Sequence, residues 1–287
     1  MDESGSTQLG IAGLTFTEAG RGEPVLFIHG LISDHRTWSA QMEALSASHR
    51  VIAPDLFGHG EVDDSDGGLR QVDFSLGGHA AAIRDLLDGL GLDRVIVVGH
   101  SLGGGVALEL AYLFPERVRA LALVSSGGLG PDLSPALRLA TLPGSEFVLP
   151  IIASSWIRAC GNTAFGLMAR LGLPLVTAST EAAWLGMGTF ANAANRRAFL
   201  ATSRSVIDVT GQTVSALPRL AGLAGRPILV VWGGRDRLIP ASHAEAVRTA
   251  LPDSRVEIFP RAGHFPHLDE PERFHLVLAD FIGGLTN

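Results

Sequence analysis

Five short apolar runs set the strongest limit on what this chain can fold into. They are Val25-Leu26-Phe27-Ile28, Val51-Ile52-Ala53, Val95-Ile96-Val97-Val98, Ala120-Leu121-Ala122-Leu123-Val124 and Ile228-Leu229-Val230-Val231. None alternates between apolar and polar residues. A strand with one face in water reads as alternation, whereas a strand covered on both faces reads as a continuous apolar run. Between the runs lie segments such as 79–90 and 104–114, where apolar residues recur at three- and four-residue steps. That is the period of a helix packed along one face. Strand and helix in turn, with strands buried on both sides, predict a doubly wound, mostly parallel α/β sheet. Val256-Glu257-Ile258-Phe259 is expected to be its last strand.

The alternation stops between residues 128 and 225. Pro131, Pro135, Pro143, Pro150, Pro174 and Pro218 cut this stretch into pieces. The pieces read as helices over 134–141, 147–160, 163–171, 181–187 and 196–206, with no convincing strand among them. The stretch is apolar and poor in charge before Arg196. We read 128–225 as a helical cap inserted into a core made of 1–127 and 226–287.

Composition narrows the class. A chain of 287 residues buries enough apolar surface to fold without disulfides or a structural metal. Its net charge of -7 and lack of any Lys/Arg run argue against a nucleic-acid partner. The single cysteine, Cys160, excludes an internal disulfide; in its apolar surroundings it is expected to be a small buried hydrophobe. Met1-Asp2-Glu3-Ser4-Gly5 lacks the features of a signal peptide, and no apolar run reaches the length of a membrane span. A cytoplasmic location is the expectation. The acidic cluster Asp63-Asp64-Ser65-Asp66 reads as a solvated loop, since it lacks the ligand alternation of an EF-hand.

The chemistry concentrates at Gly99-His100-Ser101-Leu102-Gly103. It follows one predicted strand and precedes one predicted helix. A tight turn in that setting holds its central residue in a strained conformation above the sheet. Gly99 and Gly103 remove side chains that would clash in such a turn. The helix start beyond Ser101 directs backbone N–H groups at the same point. A serine hydroxyl needs a base. His264, in Arg261-Ala262-Gly263-His264-Phe265-Pro266, lies just past the last strand, where the chain returns to the edge at which such sheets collect functional groups. Asp236 follows the run ending at Val231 and is placed to orient that base. The trio His264, His267 and Asp269 has metal-ligand residue types, but no second cluster completes a site, so no metal or other cofactor is expected. After the first run, His29-Gly30-Leu31 allows a sharp turn toward Ser101, so the backbone N–H groups of Leu31 and Leu102 are the expected oxyanion donors.

Together these residues resemble the α/β-hydrolase superfamily. Pro24-Val25-Leu26-Phe27-Ile28-His29-Gly30 is similar to its oxyanion-strand motif, and Asp55-Leu56-Phe57-Gly58-His59-Gly60 to its D-x-x-G-x-G loop. The order Ser101, Asp236, His264 is that of the family. Glu61 departs from the usual Ser after the D-x-x-G-x-G loop. The resemblance implies a mobile cap and a Ser–Asp–His hydrolase; the apolar insertion leads us to expect a small or medium hydrophobic ester as substrate. Ser101 in place of Asp argues against epoxide hydrolases and haloalkane dehalogenases. Ser125-Ser126-Gly127-Gly128-Leu129-Gly130 is similar to a segment of C–C hydrolases acting on ring-cleavage products, which remain an alternative. Those enzymes usually have Trp where this chain has Phe265, and a cap arginine to be sought among Arg196, Arg197 and Arg204. A non-catalytic ligand receptor of the same fold is a further alternative.

Overall fold

A computed structural model describes residues 9–60, 68–173 and 176–286. The acidic cluster at 63–66, Glu61, Pro174 and the N-terminal five residues lie outside the described residues.

Eight strands form one sheet in the order β1-β2-β4-β3-β5-β6-β9-β10. They are β1 (Leu9–Ile11), β2 (Leu14–Ala19), β3 (Glu23–Ile28), β4 (His49–Pro54), β5 (Val95–His100), β6 (Val118–Val124), β9 (Ile228–Gly233) and β10 (Arg255–Phe259). Strand β2 runs antiparallel to both β1 and β4, and every other pairing is parallel. All six expected strands are present, each one to three residues longer than expected.

The apolar runs have the expected cause. Successive side chains of one strand enter opposite cores. Leu26, Ile28, Val97, Leu121, Leu123, Val230 and Trp232 belong to one. Their neighbours Val25, Phe27, Ile96, Val98, Ala122, Val124, Leu229 and Val231 belong to the other. The first core is closed by helices α2 (Leu76–Gly89), α3 (Leu102–Leu113) and α9 (Ser242–Ala250), through Ile83, Val106, Leu110 and Val247. The second is closed by α1 (Ser39–Leu45) and α11 (Pro271–Gly283), through Met42, Leu45, Phe274 and Leu278. Burying each such side chain contributes about 1.5–3 kcal/mol.

Between β6 and β9 the chain forms α4 (Pro135–Ala140), α5 (Ser145–Ile152), α6 (Ser155–Arg170), α7 (Ala178–Met187) and α8 (Ala193–Val206). Four expectations change here. The pieces at 147–160 and 163–171 are redivided: the break falls at Ala153 and Ser154, and α6 continues unbroken beyond Cys160. Pro150 sits inside α5 without ending it. A two-strand hairpin, β7 (Ile207–Asp208) with β8 (Gly211–Gln212), stands in a stretch where no strand was expected. Its turn is held by the Asp208 carboxylate, which accepts from the Thr210 and Gly211 N–H groups at 2.7 and 3.2 Å. Cys160 is exposed, contrary to expectation, because α6 has no buried residue over its sixteen positions. The short helix α10 (Pro266–Asp269) completes the set. No described helix is long and apolar enough to cross a membrane.

Candidate active site

The strand ends place the predicted residues on one edge. Ser101 joins β5 to α3 with φ 52° and ψ -115°, a conformation that non-glycine residues rarely adopt. A side chain at Gly99 would put its Cβ 2.3 Å from the Gly103 carbonyl oxygen, and one at Gly103 would meet the Ile28 carbonyl oxygen at 2.3 Å. The elbow is therefore pressed between its own helix and the end of β3. Its Ser101 carbonyl accepts from Gly104 N–H at 3.0 Å and from Gly127 N–H at 2.8 Å.

The loop after β3 faces the elbow closely. A Cβ on Gly30 would stand 3.0 Å from Ser101 Cβ and 2.9 Å from His100 Nδ1. His29 sets the direction of this loop. Its Nε2 accepts from Leu56 N–H at 3.0 Å, so the ring proton sits on Nδ1, which donates to the Gly30 carbonyl at 2.8 Å. The N–H and C=O of a trans peptide point opposite ways. With the Gly30 carbonyl turned to His29, the Leu31 N–H is turned away from it. Burial holds the His29 pKa below its ordinary value and keeps the ring neutral for this task. The Leu102 N–H opens α3, where the first amides lack helical acceptors. Neither amide has an internal acceptor among the described residues.

The expected base and its expected carboxylate partner are hydrogen-bonded. His264 Nδ1 donates to Asp236 Oδ2 at 2.8 Å. The Asp236 side chain is fully buried, and its Oδ1 accepts from the N–H groups of Leu238 and Ile239 at 2.8 and 3.0 Å. This fixes the proton on Nδ1 and leaves Nε2 of His264 as an acceptor. Ser101 Oγ and His264 Nε2 are not hydrogen-bonded among the described residues. His100 connects the two loops instead. Its Nε2 donates to the His264 carbonyl at 2.9 Å, and the two rings lie 4.8 Å apart. Burial lowers the His100 pKa well below its ordinary value, so this ring too is neutral.

The trio considered for a metal separates. His267 stacks on Trp38 at 4.2 Å, fully buried, and burial brings its pKa down to about 3. Asp269 accepts from Gly263 N–H at 2.7 Å and from Ser179 N–H at 2.9 Å, and also from the Ser179 hydroxyl. Ser179 Oγ in turn accepts from Phe265 N–H at 3.0 Å. Thus α7 is tied to both sides of His264. Sequence reasoning missed this link, since Ser179 lies far along the chain from Asp269. Metal-type donors do gather elsewhere, at Asp34, His35 and Asp55. Those carboxylates already have hydrogen-bond partners. Arg36 bonds Asp34 at 2.6 Å, and His35 Nδ1 lies 2.9 Å from Asp55, whose hydrogen bond raises the His35 pKa.

Ser101 opens on a small apolar space of about 40 Å³. Leu31, Leu102 and Ile239 line it from the sheet edge, and Leu133, Val206 and Val214 from the inserted segment. A larger cavity of about 490 Å³ borders His264 and runs toward Thr177 and Thr180.

Residues 25–275 match the sequence profile of the Alpha/beta hydrolase family. The chain belongs to that family. An uncharacterized protein of Mycobacterium tuberculosis is 38% identical over 285 residues, covering 93% of this chain and 77% of the relative. A 2-hydroxy-6-oxo-6-phenylhexa-2,4-dienoate hydrolase of Burkholderia cepacia is 28% identical, covering 92% of this chain and 89% of that one. Among solved structures, a thermophilic esterase from Thermogutta terrifontis superposes with a TM-score of 0.70 at 24% identity, over 96% of this chain and 94% of that one. The resemblance to C–C hydrolases gives the expectation of a cap arginine among Arg196, Arg197 and Arg204. Here Arg196 binds the Phe190 and Ala191 carbonyls, and Arg204 binds the Thr141 carbonyl and Glu146. None of Arg196, Arg197 and Arg204 lines the space at Ser101.

Proposed function

We propose that this alpha/beta hydrolase cleaves a carboxylic ester of a small or medium hydrophobic substrate through a Ser101 acyl-enzyme, with segment 128–225 as its cap. The observation that carries the reading is the His264–Asp236 hydrogen bond on a buried, fully accepting carboxylate, beside a serine held at positive φ. His264 Nε2 takes the Ser101 proton as Oγ attacks the carbonyl carbon. The Leu31 and Leu102 N–H groups receive the oxyanion, each such donor contributing about 2.7–4 kcal/mol where measured. His264 then protonates the leaving alcohol and later activates water for deacylation. Asp236 holds the ring tautomer and stabilises the imidazolium. The Ser101–His264 bond closes as substrate binds, since such bonds tighten in the reacting complex. Apolar walls from both the sheet edge and the cap favour a hydrophobic acyl group.

Turnover of p-nitrophenyl esters by wild type and Ser101→Ala tests the reading. Equal turnover by the two removes Ser101 from the chemistry. The similarity to a dienoate hydrolase makes one competing outcome specific. A preference of orders of magnitude for a vinylogous 1,5-diketone over esters replaces ester cleavage with C–C cleavage by the same residues.

A further inference from the structure

The cavity of about 490 Å³ beside His264 differs from the apolar space at Ser101. Three of its lining residues are Arg235, Arg237 and Arg261. Gly234 N–H donates to the Phe259 carbonyl at 2.8 Å and Arg235 N–H to the Ala262 carbonyl at 2.9 Å. The loops carrying these arginines are thereby stitched together. Many arginines elsewhere in the chain have partners, as Arg50 has Glu18 and Arg219 has Glu109. Among the described residues, none of these three guanidinium groups has an ion-pair or hydrogen-bond partner. The carboxylates of the same loops are turned elsewhere, Asp236 to His264 and Asp269 to Ser179 and Gly263. Like charges gathered around one concavity repel one another until an anion enters.

The mechanism proposed above gives this cavity a place in the reaction. His264 hands its proton to the leaving oxygen, so the leaving alcohol stands on the His264 side of Ser101. His264 lines the same cavity as the three arginines, while the apolar walls lie at Ser101. We infer that the cavity takes the alcohol half of the ester, and that Arg235, Arg237 and Arg261 grip a carboxylate or phosphate carried on that half. Guanidinium forks match both groups in two-point geometry. The assignment of halves rests on the acyl-enzyme reading; the anion site itself rests on the arginines.

Phenyl butyrate, 3-(butyryloxy)benzoate and 3-(butyryloxy)phenyl phosphate share one acyl group and test the inference. Wild type is expected to prefer one of the charged esters, chiefly through KM, and the preferred one tells carboxylate from phosphate. Arg261→Ala and the triple Arg→Gln variant reduce that preference about tenfold or more, as expected for losing charge-assisted hydrogen bonds. Arg248→Ala, a change on the outer face of α9, leaves the preference intact. Equal preference in wild type and both cavity variants overturns the inference. If wild type cleaves none of the esters, the acyl-enzyme reading fails and binding decides separately. By calorimetry, Ser101→Ala binds 3-hydroxybenzoate or 3-hydroxyphenyl phosphate more tightly than phenol, and adding Arg261→Ala removes the difference. No difference from phenol for either anion overturns the anion site. Thermal melting of each variant checks that it is folded.

Discussion

The sheet and the inserted helices treat the same kind of residue in opposite ways. In the sheet, Val25 to Ile28 and their counterparts on the neighbouring strands are essentially inaccessible. In the insertion, Phe147 is 76% exposed and Trp156 is 65% exposed. Of twelve large apolar side chains exposed among the described residues, nine lie between 139 and 185. The difference shows what holds each part. The sheet is secured by burial on two faces. The two ends of the insertion join the first core through Leu129, Leu133, Val206, Ile207, Leu220 and Leu223. Its middle has a small core of its own, with Leu149, Phe190, Phe199 and Leu200, and polar links add to that. Asn195 Nδ2 donates to the Gly58 and Gly60 carbonyls at 3.0 and 3.2 Å, and Ser179 clasps Asp269. Elements with few buried contacts open at lower free energy than the core.

The largest test of this contrast concerns where the chemistry resides. Ser101→Ala is expected to lower kcat by roughly 10⁴- to 10⁶-fold, and Asp236→Asn by about 10⁴-fold, with folding intact by circular dichroism. Comparable losses from substitutions confined to the exposed face of α6 break the assignment of catalysis to the sheet edge.

Acid is the next. All ten histidines lie outside 128–225. Burial lowers the pKa of His59 and His267 to about 3 and that of His79 to about 4. An unfolded histidine titrates near 6.5. Below that pH the unfolded chain binds protons that the folded core refuses. Stability is therefore full above about pH 6.5 and falls toward pH 4, by up to about 1.4 kcal/mol per pH unit for each such histidine. Urea melts from pH 7 to 5 are expected to show this decline, and His267→Phe to make it shallower. An unchanged slope in that variant returns the acid sensitivity to other groups.

Ser179→Ala sharpens the contrast further. It leaves the Phe265 N–H and the Asp269 carboxylate short of a partner, at a cost of about 1–3 kcal/mol. Hydrogen exchange is expected to rise in α7 and around His264 while β5 and β6 stay protected. The smallest effect is expected from Trp156→Gln on α6, within about 0.5 kcal/mol of wild-type stability by melting. A loss of several kcal/mol there contradicts the view that this helix buries nothing.

What was legible in the sequence follows the same division. Doubly buried strands announce themselves, because continuous apolar runs have few other uses. The positions of Ser101, Asp236 and His264 were legible because each follows the end of an expected strand, and the fold brings those ends to one edge; their roles are those proposed above. The β1–β2 pair was not read: it alternates only briefly, and its two-residue turn, Ala12 at φ 55° and Gly13 at φ 74°, has a turn-forming residue at only one of its two positions. The β7–β8 hairpin is too short to have a period. The Ser179–Asp269 clasp joins residues 90 positions apart, and neither residue type marks its partner. His29 was legible as part of a motif. Its task, aiming one peptide through two hydrogen bonds, emerges only with Leu56 and Gly30 in place.

The exposed thiol of Cys160 has a practical consequence. It is the chain's one cysteine and rides on the least buried helix of the insertion. A maleimide dye coupled there labels a single position without any engineering of the sequence. Its fluorescence anisotropy or solvent-sensitive emission reports on the insertion alone, against a sheet that carries no competing thiol.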